Sequence, residues 1–228
     1  MKFGPNIVSD GLRFHIDPAN PNSYPGSGTT MNSLTDSQTC TLINGPTFDA
    51  GNKGSIVFDG TNDCGRITTN GLTNFANQSF TIDMWVKLDD TTSTQGLFTY
   101  PYNDTLSGNA FCYGIFVSSG LIFLAYNKGN GTYNSPAAFL PTTQGNWFRV
   151  CVTYTSGSQK MYLNQFQNFS TTVTNTISFS QMEVVIGAFL DNGTLPLNGN
   201  VADVKYYDRA LTSDEVLQNY NATKSRFK

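Results

Sequence analysis

Apolar and polar residues alternate in short runs along this chain, most clearly in Phe80-Thr-Ile-Asp-Met-Trp-Val-Lys-Leu88. Phe80, Ile82, Met84, Val86 and Leu88 fall on one side of an extended backbone, and Thr81, Asp83, Trp85 and Lys87 on the other. That period of two predicts a strand with one buried face. Further strands are predicted at Leu12–Ile16, Ser55–Phe58, Phe111–Val117, Leu121–Tyr126, Trp147–Tyr154, Lys160–Leu163, Val184–Phe189 and Val201–Tyr207. Turns rich in Gly, Asn and Ser separate them, and Ser118-Ser-Gly120 is short enough for a tight hairpin. The pattern changes once. Alternation through Val204 and Tyr206 breaks at Asp208-Arg209, and Thr212-Ser-Asp-Glu215 then has the form of a capping box. It predicts a helix over about 212–223, with Val216, Leu217 and Tyr220 packing on the strands.

Composition agrees with strands joined by loops. Gly, Asn, Ser and Thr are abundant, and only 13% of residues are charged. The 228 residues fit one all-β domain spanning 1–228, since sandwiches of about 200–250 residues fold as single units. A net charge of −3 with no Lys/Arg cluster argues against a nucleic-acid partner. The opening Met1-Lys-Phe-Gly-Pro-Asn6 lacks the apolar run of a signal peptide. No segment approaches the ~20 apolar residues of a membrane span, so membrane insertion is not expected. Cys40, Cys64, Cys112 and Cys151 form no C-x-x-C pair, and Cys112 and Cys151 sit in apolar runs, which predicts buried thiols. The basic tail Lys224-Ser-Arg-Phe-Lys228 is expected to be solvated.

Catalytic chemistry finds little support. A glycosidase needs two carboxylates flanking the scissile bond, yet the chain has two glutamates in all: Glu215 caps the helix and Glu183 opens a distant strand. Most aspartates fall in turns, where their side chains serve turn geometry. The single histidine, His15, alternates outward with Arg13 and Asp17, so it reads as a surface strand residue. One histidine builds neither a Ser-His-Asp relay nor a multi-histidine zinc site. No catalytic residue is assigned, and a glycoside hydrolase is the remote alternative.

Four segments in order carry a family resemblance: Ser55-Ile-Val-Phe-Asp-Gly-Thr-Asn-Asp63, Phe80–Val86, Trp147–Tyr154 followed by Lys160-Met-Tyr-Leu-Asn164, and Val201–Leu211. Together they resemble laminin-G-like domains of the concanavalin A-like lectin/glucanase superfamily. The resemblance implies a jelly-roll sandwich of two antiparallel sheets with a short C-terminal helix. Gly11–Gly28, with Asn44-Gly-Pro-Thr-Phe48, is similar to laminin-G-like domains in structural proteins of tailed bacteriophages. Met31-Asn-Ser-Leu34 stands where such domains often carry Trp-Tyr-Asp-Leu, and Cys64 where an aromatic often follows the acidic turn. This likeness implies a non-enzymatic virion structural or decoration protein, assembled in the host cytoplasm. Its partners would be other virion proteins, further copies of itself and glycans, and the alternative is a glycan-binding lectin module of a tail or fibre.

Two sites follow from that reading. Related sandwiches often hold a structural calcium ion where chain start and chain end meet, which here points to Asp17, Asp59, Asn62, Asp63 and Asp203. The competing reading makes Asp59-Gly60 a plain turn and Asp203 an exposed strand residue. Sugar binding needs aromatic faces beside amides and carboxylates. Two loops supply them: Tyr100, Tyr102, Asn103 and Asp104 in one, and Tyr126, Asn127, Tyr133 and Asn134 in the other. Tyrosine and asparagine serve protein docking equally well. Trp85 is a third candidate, with burial beneath loops laid over that face as its alternative.

Overall fold

The computed structural model describes residues 5–51, 54–67, 79–101, 111–127, 133–134, 137–139, 144–155, 157–172, 183–190 and 192–227. Two antiparallel sheets pack face to face as a jelly-roll sandwich. Sheet A runs β15 (Phe166–Thr171), β14 (Ser158–Leu163), β13 (Trp147–Thr155), β7 (Phe80–Leu88), β17 (Asn198–Tyr207), β5 (Ser55–Asp59) and β4 (Thr47–Asp49). A further strand, β1 (Leu12–Ile16), pairs with the far part of β17. Sheet B runs β11 (Tyr133–Asn134), β10 (Leu121–Asn127), β9 (Phe111–Ser118), β8 (Gln95–Pro101), β16 (Val184–Ile186), β6 (Cys64–Ile67), β3 (Thr39–Ile43) and β2 (Thr30–Asn32). Beside it, β12 (Ala137–Phe139) pairs with β10.

The alternation in β7 places its side chains as expected. Phe80, Ile82, Met84, Val86 and Leu88 enter the core between the sheets. They meet Phe148, Val150 and Val152 of β13, Ile56 and Phe58 of β5, and Ile115 and Val117 of β9. The Ser118–Leu121 hairpin turns through Ser119 (φ 51) and Gly120 (φ 74), the pair of positive φ values that matches the strand twist in a two-residue turn. Cys40, Cys64 and Cys151 are buried free thiols.

Both outer faces are covered by the chain itself. On sheet B, the predicted strand Val184–Phe189 stops at Ile186, and Gly187–Leu190 turns out over the sheet. Phe189 and Leu190 pack there on Phe116 and Ala125. Thr99 Oγ1 hydrogen-bonds the carbonyls of Ala188 and Phe189 at 3.0 and 2.8 Å.

On sheet A the cover is helix α1 (Ser213–Thr223), whose Val216 packs with Cys151, Tyr162 and Tyr207. The capping box forms as predicted: Glu215 N donates to Thr212 Oγ1, and Thr212 N donates to a Glu215 carboxylate oxygen. Leu217, expected to pack, is exposed, and the polar Asn219 is the buried residue of the next turn.

Arg209 grips Glu215 through two hydrogen bonds of 2.8 and 2.6 Å. That pairing, with the capping amide, lowers the Glu215 carboxyl from 4.5 to about 2. A depressed carboxyl contributes stability that is fully present above its unfolded value and lost as the folded group protonates. Stability should therefore fall as pH drops from 4.5 toward 2, and Glu215→Gln should flatten this part of the profile in thermal melts.

Candidate functional site

The outer face of sheet A, beneath α1, holds buried charges. Asp83 and Arg149 lie on neighbouring strands, both about 0% exposed. Arg149 Nε and Nη2 donate to the two oxygens of Asp83 at 2.5 and 2.6 Å. Its Nη1 donates to the carbonyls of Val216 and Asn164. Asn219 Nδ2 donates to Asp83 Oδ2 and to Tyr207 Oη, while Val8 N donates to Asn219 Oδ1 and Tyr207 Oη donates to Val8 O. This closed circuit ties both ends of the chain to the sheet. Burial alone would lower the Arg149 pKa, but the charge and hydrogen bonds of Asp83, with the nearby Cys151 and Asp203, together more than reverse this and raise it. Burial, then the charge of Asp83, raises the Cys151 thiol, so it is no nucleophile. The centre is structural.

A second cluster joins β1 to β17. Asp203 sits at a bulge with φ 53, and ligand-type atoms of His15, Asp17 and Asp203 lie within 4.8 Å of one another. His15 is no surface residue: its side chain is 12% exposed, and its Nε2 lies 2.9 Å from Asp203 Oδ1. Asp203 itself is buried, contrary to the reading of an exposed strand residue. Lys205 Nζ is 2.6 Å from Asp203 Oδ2, an ion-pair contact rather than an aligned hydrogen bond. Burial raises the Asp203 pKa, but Lys205 and His15 more than reverse this and hold the carboxyl far below its ordinary value.

The donor set does not suit calcium. An ion of that kind wants six to eight oxygens, whereas here one ligand is an imidazole and two cations already sit on the carboxylates. Lys205 occupies Asp203, and Arg226 Nη1 lies 2.6 Å from Asp17 Oδ1. Asp59, Asn62 and Asp63 do not join them. Asp59 pairs with Asn198 at the other end of β17, five residues and roughly 16 Å of strand away from Asp203. There Asp59 N donates to Asp63 Oδ2, and Thr61 N donates to Asp59 Oδ1, which is the geometry of a turn.

The strands that flank the two predicted sugar loops end at one end of the sandwich. Tyr100, Tyr113 and Tyr126 stand side by side across β8, β9 and β10. The strand ends Pro101, Phe111 and Asn127 are therefore neighbours, and Tyr126 and Asn127 pair with Asn134 and Tyr133. Ile67 and Val184 end β6 and begin β16 at the same level, and Phe80 of sheet A meets Tyr113 edge-on at 5.0 Å. The strands flanking 68–78, 102–110, 128–132 and 173–182 thus all reach this end. Stacking of Phe80 on Tyr154 makes an aromatic floor beneath it.

Tyr100 must be corrected. It is 1% exposed and belongs to the core, because the alternation of β8 turns its side chain inward. Tyr102, Asn103 and Asp104 lie outside the described residues, as do the side chains of Tyr126, Asn127, Tyr133 and Asn134. Trp85 is buried, as its alternative reading had it, although the cover is α1 and the residues after it rather than loops. Sequence reasoning missed Arg149, Lys205, Asn219 and Arg226. The available signal was charge at the outward positions of otherwise apolar strands, namely Asp83 in β7, Arg149 in β13 and Lys205 in β17.

A family model described as the concanavalin A-like lectin/glucanases superfamily matches residues 59–217. The chain belongs to that superfamily. No curated protein sequence matches it. Among solved structures, this member of the superfamily is similar to the binding domain of botulinum neurotoxin serotype D, with a TM-score of 0.69, 13% identity, and coverage of 92% of this chain and 51% of that one. The receptor-binding domain of the C/D mosaic serotype gives a TM-score of 0.71 at 12% identity, covering 92% and 51%. That of type G gives 0.68 at 14%, covering 93% and 51%. The chain therefore spans about half the length of these structures, and at such identity the likeness is one of fold.

Proposed function

We propose that this protein is a non-enzymatic binding module that takes glycans at the loop-bearing end of the sandwich, and that it works in a tailed-phage virion. One observation carries the reading. The central part of each outer sheet face is already packed by the chain's own segments, α1 and the last residues on sheet A and Gly187–Leu190 on sheet B. The strands that flank the two tyrosine- and asparagine-rich segments meet at the end rimmed by β8, β9 and β10, and the reading puts the ligand surface there. The tyrosine- and asparagine-rich loops supply the stacking faces and amides that sugars require.

Absence of chemistry has support of its own kind among the described residues. Glu183 pairs with Arg66 at 2.8 Å and Glu215 is a helix cap, while Asp83 and Asp203 are buried in ion pairs. The phage setting rests on the resemblance of the N-terminal stretch, and the fold is one shared with domains described as receptor-binding.

The test is a glycan array followed by titration. Saturable binding should survive a calcium chelator and drop at least about tenfold in Tyr102→Ala and Tyr133→Ala, the loss expected when a stacking ring is removed. If no glycan binds, and electron cryo-microscopy of purified particles finds the loops sealed against a neighbouring subunit, the glycan reading fails. The module is then a structural one. The 65% exposed Phe166 on edge strand β15 gives that second reading a contact of its own.

A further inference from the structure

The expectation that the basic tail is solvated fails for Arg226 and Phe227, and the way it fails is informative. Phe227 is 8% exposed and stacks on Trp85, with ring centroids 4.4 Å apart and planes 16° from parallel. Trp147 meets the same ring at 4.9 Å, and Tyr220 also stacks on Trp85. Beside this aromatic slot, Arg226 Nη1 donates to Asp17 Oδ1 and Nη2 to the Gly54 carbonyl, each at 2.6 Å. The guanidinium lies 4.8 Å from the Phe227 ring centre.

The walls belong to elements other than the tail. Trp85 and Trp147 belong to the adjacent central strands β7 and β13, and Trp85 Nε1 donates to Thr223 Oγ1 in the last turn of α1. Asp17 Oδ1 is also held by the Ala19 amide. Gly54 packs so closely on Ala19 that a Cβ would fall 2.8 Å from the Ala19 Cα, which keeps its carbonyl near the slot. The tail, by contrast, adds no strand pairing. Its 3-10 turn Lys224–Arg226 closes with a bond from Phe227 N to Lys224 O, within the tail itself. Lys224 N caps α1 at the Tyr220 carbonyl, and beyond that bond side-chain contacts hold Arg226 and Phe227 against the sheet. A flat slot walled by indoles, with a carboxylate and a carbonyl set for a forked donor, selects an aromatic ring and a guanidinium together.

We propose that this face of sheet A is a recognition pocket for an Arg–Phe pair, filled in cis by Arg226 and Phe227, and that a peptide carrying the same pair binds there once the tail is withdrawn. The pocket is separate from the loop-bearing end, and the proposal does not depend on the glycan reading.

The experiment uses the full chain with Arg226→Ala and Phe227→Ala together, its fold checked by circular dichroism and its pocket by tryptophan emission. Trp85 and Trp147 are the chain's two tryptophans, so the signal reports the slot directly. The emission should move to the red and become more quenchable by acrylamide than in the unaltered chain. The peptide Ser-Arg-Phe-Lys should reverse the change saturably, and about tenfold or more weakly when its arginine is replaced by alanine or when the protein also carries Asp17→Asn. A folded double variant that ignores the peptide at concentrations on the order of 5 mM overturns the proposal, because the contact is then ordinary packing of a chain end. Should the double variant not fold, Phe227→Leu in the full chain takes its place, with the same titration and the same two outcomes.

Discussion

Replacing Arg149 by alanine should destabilise the protein by about 3–5 kcal/mol, the cost of leaving a buried carboxylate without its partner. Arg149 supplies two of the bonds to Asp83, both 2.6 Å or shorter, and the remaining partner of that carboxylate is one amide hydrogen of Asn219 at 3.0 Å. Without the guanidinium, Asp83 must take up a proton or recruit water beneath α1, and the Val216 and Asn164 carbonyls lose their donor as well. The measurement is urea denaturation followed by tryptophan emission. A second variant separates charge from packing: Asp83→Leu with Arg149→Met should recover most of the loss, since apolar replacement of a buried pair is often neutral or better. A single Arg149→Ala variant within about 1 kcal/mol of the parent would mean that the circuit under α1 contributes little.

The next largest effect is expected at Gly96. A Cβ there would stand 2.5 Å from the Ala188 carbonyl carbon and oxygen and 2.8 Å from the Phe189 amide, all of them backbone atoms with no rotamer to yield. Gly96→Ala should therefore lift Gly187–Leu190 off sheet B and break the bonds of Thr99 Oγ1 to the Ala188 and Phe189 carbonyls. Overpacking of this kind costs about 1–3 kcal/mol, and the lost bonds add to it. Phe116 and Phe189 would come into contact with water, so binding of an apolar dye should rise while the far-ultraviolet spectrum keeps its strand character. No rise in dye binding would show the segment to be a looser cover than its contacts imply.

The long strands were legible in the sequence because each buries one face against a core, which imposes a period of two. This holds for β7, β9, β10, β13 and β17. The short ones were not. Strands β2, β3 and β6 read Thr-Met-Asn, Thr-Cys-Thr-Leu-Ile and Cys-Gly-Arg-Ile, too brief or too polar for a period to register. Val184–Phe189 is apolar throughout, and local sequence could not separate its first half, hydrogen-bonded in the sheet, from its second half, laid over it. The capped helix was legible to its ends, because Thr212 and Glu215 write their own hydrogen bonds.

At the candidate sites the same divide recurs. Adjacency of the two tyrosine loops follows from strand order, which no single segment reveals. Tyr100 was misplaced because a Tyr-Pro-Tyr run resembles a loop when the preceding strand is not recognised. The separation of Asp59 from Asp203, and the cations already seated on Asp17 and Asp203, are facts of tertiary packing between residues far apart in sequence.

The position of β17 has a consequence for how the chain acquires its structure. It is the last strand in sequence, yet it lies inside sheet A, with β7 along one side and β5 and then β1 along the other. Until Asn198–Tyr207 has left the ribosome, sheet A can form only as two separate pieces with open edges, β15-β14-β13-β7 and β5-β4. Closure must then bring together residues as distant as Phe14 and Tyr206. Pairings of such long sequence separation carry a large loop-closure entropy and form slowly. Folding of sheet A should therefore wait for β17, with a refolding time in the range of milliseconds to seconds or longer typical of sandwiches. Nascent chains stopped short of Asn198 should be substrates for chaperones rather than folded fragments.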